Sequence, residues 1–250
     1  METTLAIAFF ALGAVVASFM GVLAGRLNTG QGFLAGRSRC DACGRELAPS
    51  ALVPVFSYVL SGGRARCCGA RISIVAPLSE ACLGALYALA YASFGLSYAL
   101  FAVLLSLALL FALVLYDFMH QVLPPALLAA FAASAVLSRA LLAPDLAGFL
   151  VPLMWGAAFA LLFLAIQLVS RGRAMGLSDA PLVFALAALA GDCAFAGFLF
   201  SFWIGAIIGI TLLFARPPGS RMGVEVPFAP FLAAGFLLAL FTQWNPLSLF

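Results

Sequence analysis

The chain alternates between long apolar runs and short polar interruptions. A helix needs roughly 20 apolar residues to cross a hydrocarbon core of ~30 Å. Runs of about that length fall at about 4–24, 77–95, 97–116, 124–143, 148–169, 179–195, 197–215 and 226–244. The short alternating segments of a membrane β-barrel are missing. The pattern predicts an all-α polytopic membrane protein with about eight transmembrane helices. The sixth run is short and holds Asp192 near its far end, which leaves a seven-helix count open. Only one sizeable polar segment breaks the sequence, so the expected organisation is a first transmembrane helix (1–24), a small loop domain (25–76) and a membrane-embedded region (77–250).

Composition sharpens the class. Hydrophobic residues make up 66% and charged residues 8%, with a mean hydropathy of +1.19; soluble domains carry about a quarter charged residues. The first run is preceded by Glu2 and no basic residue, so it is expected to stay as an anchor rather than act as a cleaved signal peptide. All twelve basic residues are arginine. Seven of them (Arg26, Arg37, Arg39, Arg45, Arg64, Arg66, Arg71) lie between runs one and two, which predicts a cytoplasmic loop domain. With eight spans, the segments near Asp117, 171–178 and 216–224 share that side, together with Arg171, Arg173, Arg216 and Arg221, while Arg139 lies near an outer end. The net charge of +3 therefore reflects topology and the lipid bilayer as partner. No basic run with interleaved aromatics calls for nucleic acid.

Two carboxylates stand out. Asp117 closes the third run in "ALVLYDFMHQVLPP", and Asp179 opens the sixth in "RGRAMGLSDAPLV". Two spans separate them, so both are expected at the same membrane face. An ionisable group at the edge of a span is costly unless solvated, paired or used. Two carboxyls brought together can share a proton, one activating water while the other protonates a leaving nitrogen, with no metal. That chemistry is peptide hydrolysis at the membrane surface. The simpler account is that both are interfacial residues bathed in water, Asp179 serving as a helix cap after Ser178. Asp145 and Asp192 fall on the predicted outer side. Glu80, in "PLSEACLG", is about one turn inside the second run and is expected either to support the dyad or substrate, or to pair with an arginine. His120 is the only histidine, which argues against a His-rich metal hydrolase.

The loop domain is too short for a large core. It carries Cys40 and Cys43 in "RCDACGREL", and Cys67 and Cys68 in "GGRARCCGARIS". Paired C-x-x-C knuckles signal structural zinc, but here the second pair is contiguous. Zinc on all four thiolates, zinc on three plus another ligand, and no metal all remain open. A cytoplasmic placement disfavours a stable disulfide, and Cys82 and Cys193, within runs, are expected to be packing residues.

Taken in order, "ASFMGVLAGRL", "GRSRCDACGREL", "LVPVFSYVLSGGRARCCGARIS", "PLSEACLG", "YDFMHQVLPP", "MGLSDAPL" and "VPFAPFLAAG" resemble the bacterial type IV prepilin peptidases, integral-membrane aspartic proteases of the G-x-G-D type that are often also N-methyltransferases. The resemblance implies that Asp117 and Asp179 correspond to the catalytic pair at the cytoplasmic side of the inner membrane. The implied substrate is a type IV prepilin or pseudopilin, cut after a glycine ahead of its hydrophobic helix. S-adenosylmethionine is the implied methyl donor, although no glycine-rich nucleotide-binding pattern supports it independently. Three departures stand out. Ser178 replaces the second glycine of G-x-G-D, Pro181 stands where lysine is usual, and Ala229 replaces a common glycine. In the second knuckle the family's cysteines map onto Ala65 and Cys68, leaving Cys67 as an extra neighbour. These departures keep two alternatives in view: a catalytically impaired relative acting as an assembly component, and an ion or solute carrier.

Overall fold

The computed structural model describes residues 2–28, 39–40, 42–48, 53–173, 175–215 and 227–244. Arg37, Arg216, Arg221 and the predicted 216–224 loop lie outside them. The helices are α1 (Glu2–Arg26), α2 (Phe56–Leu60), α3 (Val75–Phe94), α4 (Tyr98–His120), α5 (Pro125–Leu142), α6 (Leu146–Ser170), α7 (Asp179–Ala190), α8 (Ala194–Ala215) and α9 (Ala229–Thr242), with a 3₁₀ turn at Gly191–Cys193. Every predicted apolar run contains a helix. Six helical stretches among the described residues are long and apolar enough to cross a membrane, the last running Asp179–Thr211, and Ala229–Thr242 is a shorter apolar helix. With the protein's relatives reported below, these mark an integral membrane protein.

The chain forms two compact units, residues 1–96 and 97–250. In the first, α1 packs along α3. Gly13 makes this contact possible, because a Cβ there would lie 2.6 Å from the Leu83 carbonyl oxygen and 2.9 Å from the Gly84 Cα. Small residues of this kind let helix backbones approach where lipid removes the usual hydrophobic drive between helices. The connection between α1 and α3 holds two isolated antiparallel bridges, Arg39 with Glu46 and Arg64 with Arg71, and no strand among the described residues.

Helix ends in the second unit follow local chemistry. Ser97 caps α4 by accepting from the Leu100 N–H at 3.1 Å. Gln121 ends α4 in the left-handed region at φ 54°, its N–H returning to the Asp117 carbonyl. Pro125 then opens α5 at a position where a missing N–H costs nothing. Asp145 caps α6 through the Gly148 N–H at 2.6 Å. Helix α7 is only 12 residues long because Gly191, at φ 64° and ψ −133°, breaks it. It is also the most enclosed element. Leu182, Val183 and Leu186 are fully buried, and α5, α6, α8 and α9 all pack against it.

Helices α4 and α5 run antiparallel and share a polar contact in an otherwise apolar interface. Ser106 Oγ lies 3.0 Å from Ser134 Oγ and 3.0 Å from Ser138 Oγ. Each hydroxyl also has a carbonyl of its own helix within reach, Ser106 that of Ala102, Ser134 that of Phe131 and Ser138 that of Ser134, and the single Ser106 proton is shared between Ala102 O and Ser134 Oγ.

Candidate active site

Asp117 sits in the last turn of α4, close to the point where Gln121 turns the chain. Its side chain is buried, and its Oδ2 has no hydrogen-bond partner among the described residues. The backbone N–H of Ala229, the first residue of α9, faces the carboxylate. Ala229 is itself fully buried. Position 229 lies at the start of a regular helix, so alanine fits where the resemblance expected glycine.

Asp179 is the first residue of α7 and is half-buried. Its Oδ2 accepts from the Gly176 N–H at 3.0 Å, and its own N–H donates to the Gly176 carbonyl at 3.2 Å. Asp117 lies close enough for its charge to act on Asp179. The second unit therefore brings together two acids that are 62 positions apart in the numbering, one without a partner on Oδ2 and one held by a backbone amide.

Ser178 occupies the position where the resemblance expected a second glycine. Its φ of −72° and ψ of −15° lie in the right-handed helical region. Serine adopts that conformation without penalty, so the replacement introduces no backbone strain. Its side chain does not cap α7; the acid that follows makes the local hydrogen bond. His120 lies against Tyr116, ring centroids 4.3 Å apart and planes tilted by 40°, and is exposed at the end of α4.

The first unit holds a second cluster. The sulfurs of Cys40, Cys43, Cys67 and Cys68 all lie within 4.8 Å of one another. Cys43 is 3.4 Å from Cys67, Cys40 is 3.8 Å from Cys68, and Cys67 is 3.9 Å from Cys68. The two knuckles repeat one backbone pattern. Cys40 N–H bonds to Arg45 O and Gly44 N–H to Cys40 O; in the second knuckle Ala65 N–H bonds to Ala70 O and Gly69 N–H to Ala65 O. Gly44 and Gly69 have matching φ of 70° and 73°, a left-handed position that glycine takes at little cost. Ala65 is thus the structural counterpart of Cys40, and Cys68 that of Cys43. Cys67 is the additional thiol that brings the cluster to four.

Side chains of neighbouring residues tend to diverge, but here the knuckle turns between Ala65 and Gly69 and both sulfurs join the cluster. Four thiolates around a tetrahedral zinc at about 2.3 Å would sit about 3.8 Å apart, close to the separations found, so this cluster can hold a metal ion. Without one the thiols are unequal. The Cys40 thiol is pulled down to about 7 by the backbone N–H groups of Cys43 and Ala42, with Cys67 also donating. The Cys67 thiol is pushed up to about 12 by its hydrogen bonds to Cys43 and Cys40.

Two contacts escaped the sequence. Glu80 Oε2 accepts from the Val55 N–H at 2.8 Å. Val55 lies at φ 60° and ψ −51°, and the Phe56 N–H reaches over it to the Pro54 carbonyl at 2.6 Å. This is a γ-turn of the rare, strained hand, centred on a β-branched residue. The second contact is the Ala229 amide at Asp117. The "VPFAPFLAAG" stretch was its only signal, because a backbone donor leaves no side-chain signature.

Fold and site together describe a polytopic membrane protein with paired acids at helix ends and a thiol cluster between its first long helices. The description "Bacterial Peptidase A24 N-terminal domain" matches residues 11–94. A prepilin leader peptidase/N-methyltransferase of Bacillus subtilis is 31% identical over 231 residues, covering 92% of this chain and 91% of the relative. Proteins of the same name from Myxococcus xanthus and Pseudomonas aeruginosa are each 32% identical, over 84% and 81% of this chain and 64% and 70% of their own lengths. No solved structure matches the chain. The chain belongs to the prepilin leader peptidase/N-methyltransferase family. It is a member of a prepilin-processing peptidase family embedded in a membrane.

Proposed function

We propose that this protein is an aspartic endopeptidase that removes the leader peptide of type IV prepilins or pseudopilins, with Asp117 and Asp179 as its catalytic pair. The observation that carries the proposal is that one unit brings these two carboxylates, from the end of α4 and the start of α7, near enough for the charge of one to act on the other. One acid holds a proton and the other a charge. The charged carboxylate takes a proton from a water as that water attacks the scissile carbonyl, and the protonated one donates to the leaving nitrogen as the C–N bond breaks. The Gly176 N–H fixes the direction of the Asp179 carboxylate, and the Ala229 N–H faces that of Asp117. Such positioning matters because a proton must move over hydrogen-bond distance.

The arginine-rich segment between α1 and α3 supports placing the cleavage at the cytoplasmic face of the inner membrane. Structural zinc on Cys40, Cys43, Cys67 and Cys68 fits the spacing of the four sulfurs. Its role would be to tie the two knuckles together, and peptide hydrolysis needs no step through it. The relatives' name also includes N-methyltransferase. Methylation of the new amino terminus from S-adenosylmethionine is the second activity proposed, with no residue assigned to the donor.

The test is incubation of the purified protein in detergent with a prepilin, reading the product's amino terminus by mass spectrometry. Scission after the leader glycine is expected, and a mass increase of one methyl group reports the second activity. Unchanged cleavage by Asp117→Asn or Asp179→Asn would remove the proposed pair.

A further inference from the structure

The proposed chemistry makes no use of Arg139. This arginine sits in the last turn of α5. Asp117 lies in the last turn of α4, and α5 starts only eight positions later and runs back antiparallel, so Arg139 is at the opposite end of the unit from the two acids. It is 7% exposed, and its Nε has no hydrogen-bond partner among the described residues. No described carboxylate forms an ion pair with it. A guanidinium carries five N–H donors and does not lose its charge, so burial without an acceptor is unfavourable. Of its nitrogens only Nε is sealed off without a partner, so an acceptor from outside would meet the Nη atoms.

The surroundings show what kind of acceptor fits. Gly191, in the turn after α7, lies under Nη1 so closely that any Cβ there would collide with it. Gly148, at the start of α6, faces Nη2, where a Cβ would come within 3.4 Å. Bare backbone on two sides thus lets the charged fork lie close against the turn after α7 and the start of α6. The acidic groups nearby are Asp145 and Asp192, both exposed, and Asp145 Oδ1 is engaged by the Gly148 N–H. On either side of the α5–α6 connection, Leu141 and Leu146 are exposed at 48% and 71%. An oxyanion attached to an apolar chain matches both features, since the planar guanidinium binds phosphate oxygens in pairs.

We propose that Arg139 binds the phosphate of a membrane phospholipid headgroup, whose acyl chains lie along the exposed leucines of α5 and α6. The site is independent of the peptidase chemistry and lies at the other end of the unit.

The test uses the full-length protein in detergent, with lipid retention read by native mass spectrometry and thermal stability read in parallel. Phosphatidylglycerol and phosphatidylethanolamine should each be retained and raise the unfolding temperature, whereas diacylglycerol, which lacks the phosphate, should do neither. Arg139→Gln should lower phospholipid retention by about tenfold, the loss expected for one charge-assisted pair. Equal retention of diacylglycerol, or full retention by Arg139→Gln, would overturn the proposal. Inorganic phosphate that stabilises as strongly as the lipid would also overturn it by making a free anion the occupant. Should Arg139→Gln fail to fold, Asp145→Asn decides. Undiminished phospholipid retention supports the lipid site, while loss of stability with no lipid dependence shows that Asp145 neutralises the arginine.

Discussion

The Gly176 N–H donates to Asp179 Oδ2 at 3.0 Å while the Asp179 N–H donates back to the Gly176 carbonyl at 3.2 Å. The carboxylate is thereby locked into a closed turn at the start of α7, with its other oxygen outside that bond.

Asparagine at 179 keeps an amide oxygen that can accept from Gly176, so the turn survives while the acid is lost. Asp179→Asn should therefore elute and unfold like the parent, yet cleave prepilin about 10²–10⁴-fold more slowly, the usual contribution of a positioned acid or base. Asp117→Asn should show the same separation. Cleavage by either variant at the parent rate, measured by mass spectrometry of the product, would contradict the assignment.

Ser178 already occupies a right-handed conformation at φ −72°. Restoring glycine there should leave the cleavage rate within about twofold and lower stability slightly, since glycine loses more freedom on folding, about 0.5–1 kcal/mol. A large gain in rate for Ser178→Gly would mean that the serine impairs the site, as the impaired-relative alternative requires. Paired rate and melting measurements distinguish the two.

The knuckle geometry predicts a rescue. Cys67→Ala should lower bound zinc, measured as metal content per protein after purification. Adding Ala65→Cys to that variant should restore it, because position 65 repeats the backbone hydrogen bonds of Cys40. A double variant that stays metal-free would refute the equivalence of the two knuckles.

In metal-free protein Cys40 and Cys67 should titrate apart. Cys40 is lowered from 9.0 to about 7, so its thiolate is present above that pH and is lost as pH falls through it. Cys67 is raised to about 12 and stays protonated across the neutral range. Ultraviolet thiolate absorbance should show one step near pH 7 that Cys40→Ser removes. A single joint step near 9 would exclude the asymmetric network.

Val55 pays for its left-handed conformation with strain of about 1–3 kcal/mol, and Glu80 holds its amide. Glu80→Ala should raise hydrogen exchange across residues 53–60 and destabilise the protein by about 1.5–3 kcal/mol, the range for a hydrogen bond to a charged group. Val55→Gly in the same background should recover part of that loss. No change in exchange for Glu80→Ala would show that the turn holds without it.

The apolar periods marked α1 and α3–α9 because lipid requires every spanning backbone to satisfy itself as helix. The two acids were legible for the same reason: charges at span ends are rare enough to notice. Chain parity could place them on one face, but it could not show that α7 stops after 12 residues, since Gly191 looks like any glycine in an apolar run. The contiguous cysteines left the ligand set open because side-chain direction depends on a turn whose hydrogen bonds the residue letters do not carry. Glu80 was assigned to an arginine or the dyad because its true partner, an amide, belongs to every residue. Arg139 could be placed near a membrane face, but its burial depends on two glycines from other helices.

The three hydroxyls of Ser106, Ser134 and Ser138 act as a bolt between α4 and α5. In a greasy seam any sliding of one rod along the other would break the contacts between hydroxyls with no polar replacement at hand, so the rods keep their relative height. The tip that bears Asp117 therefore holds its level against α5, and thermal jostling of the bundle cannot easily shift that acid.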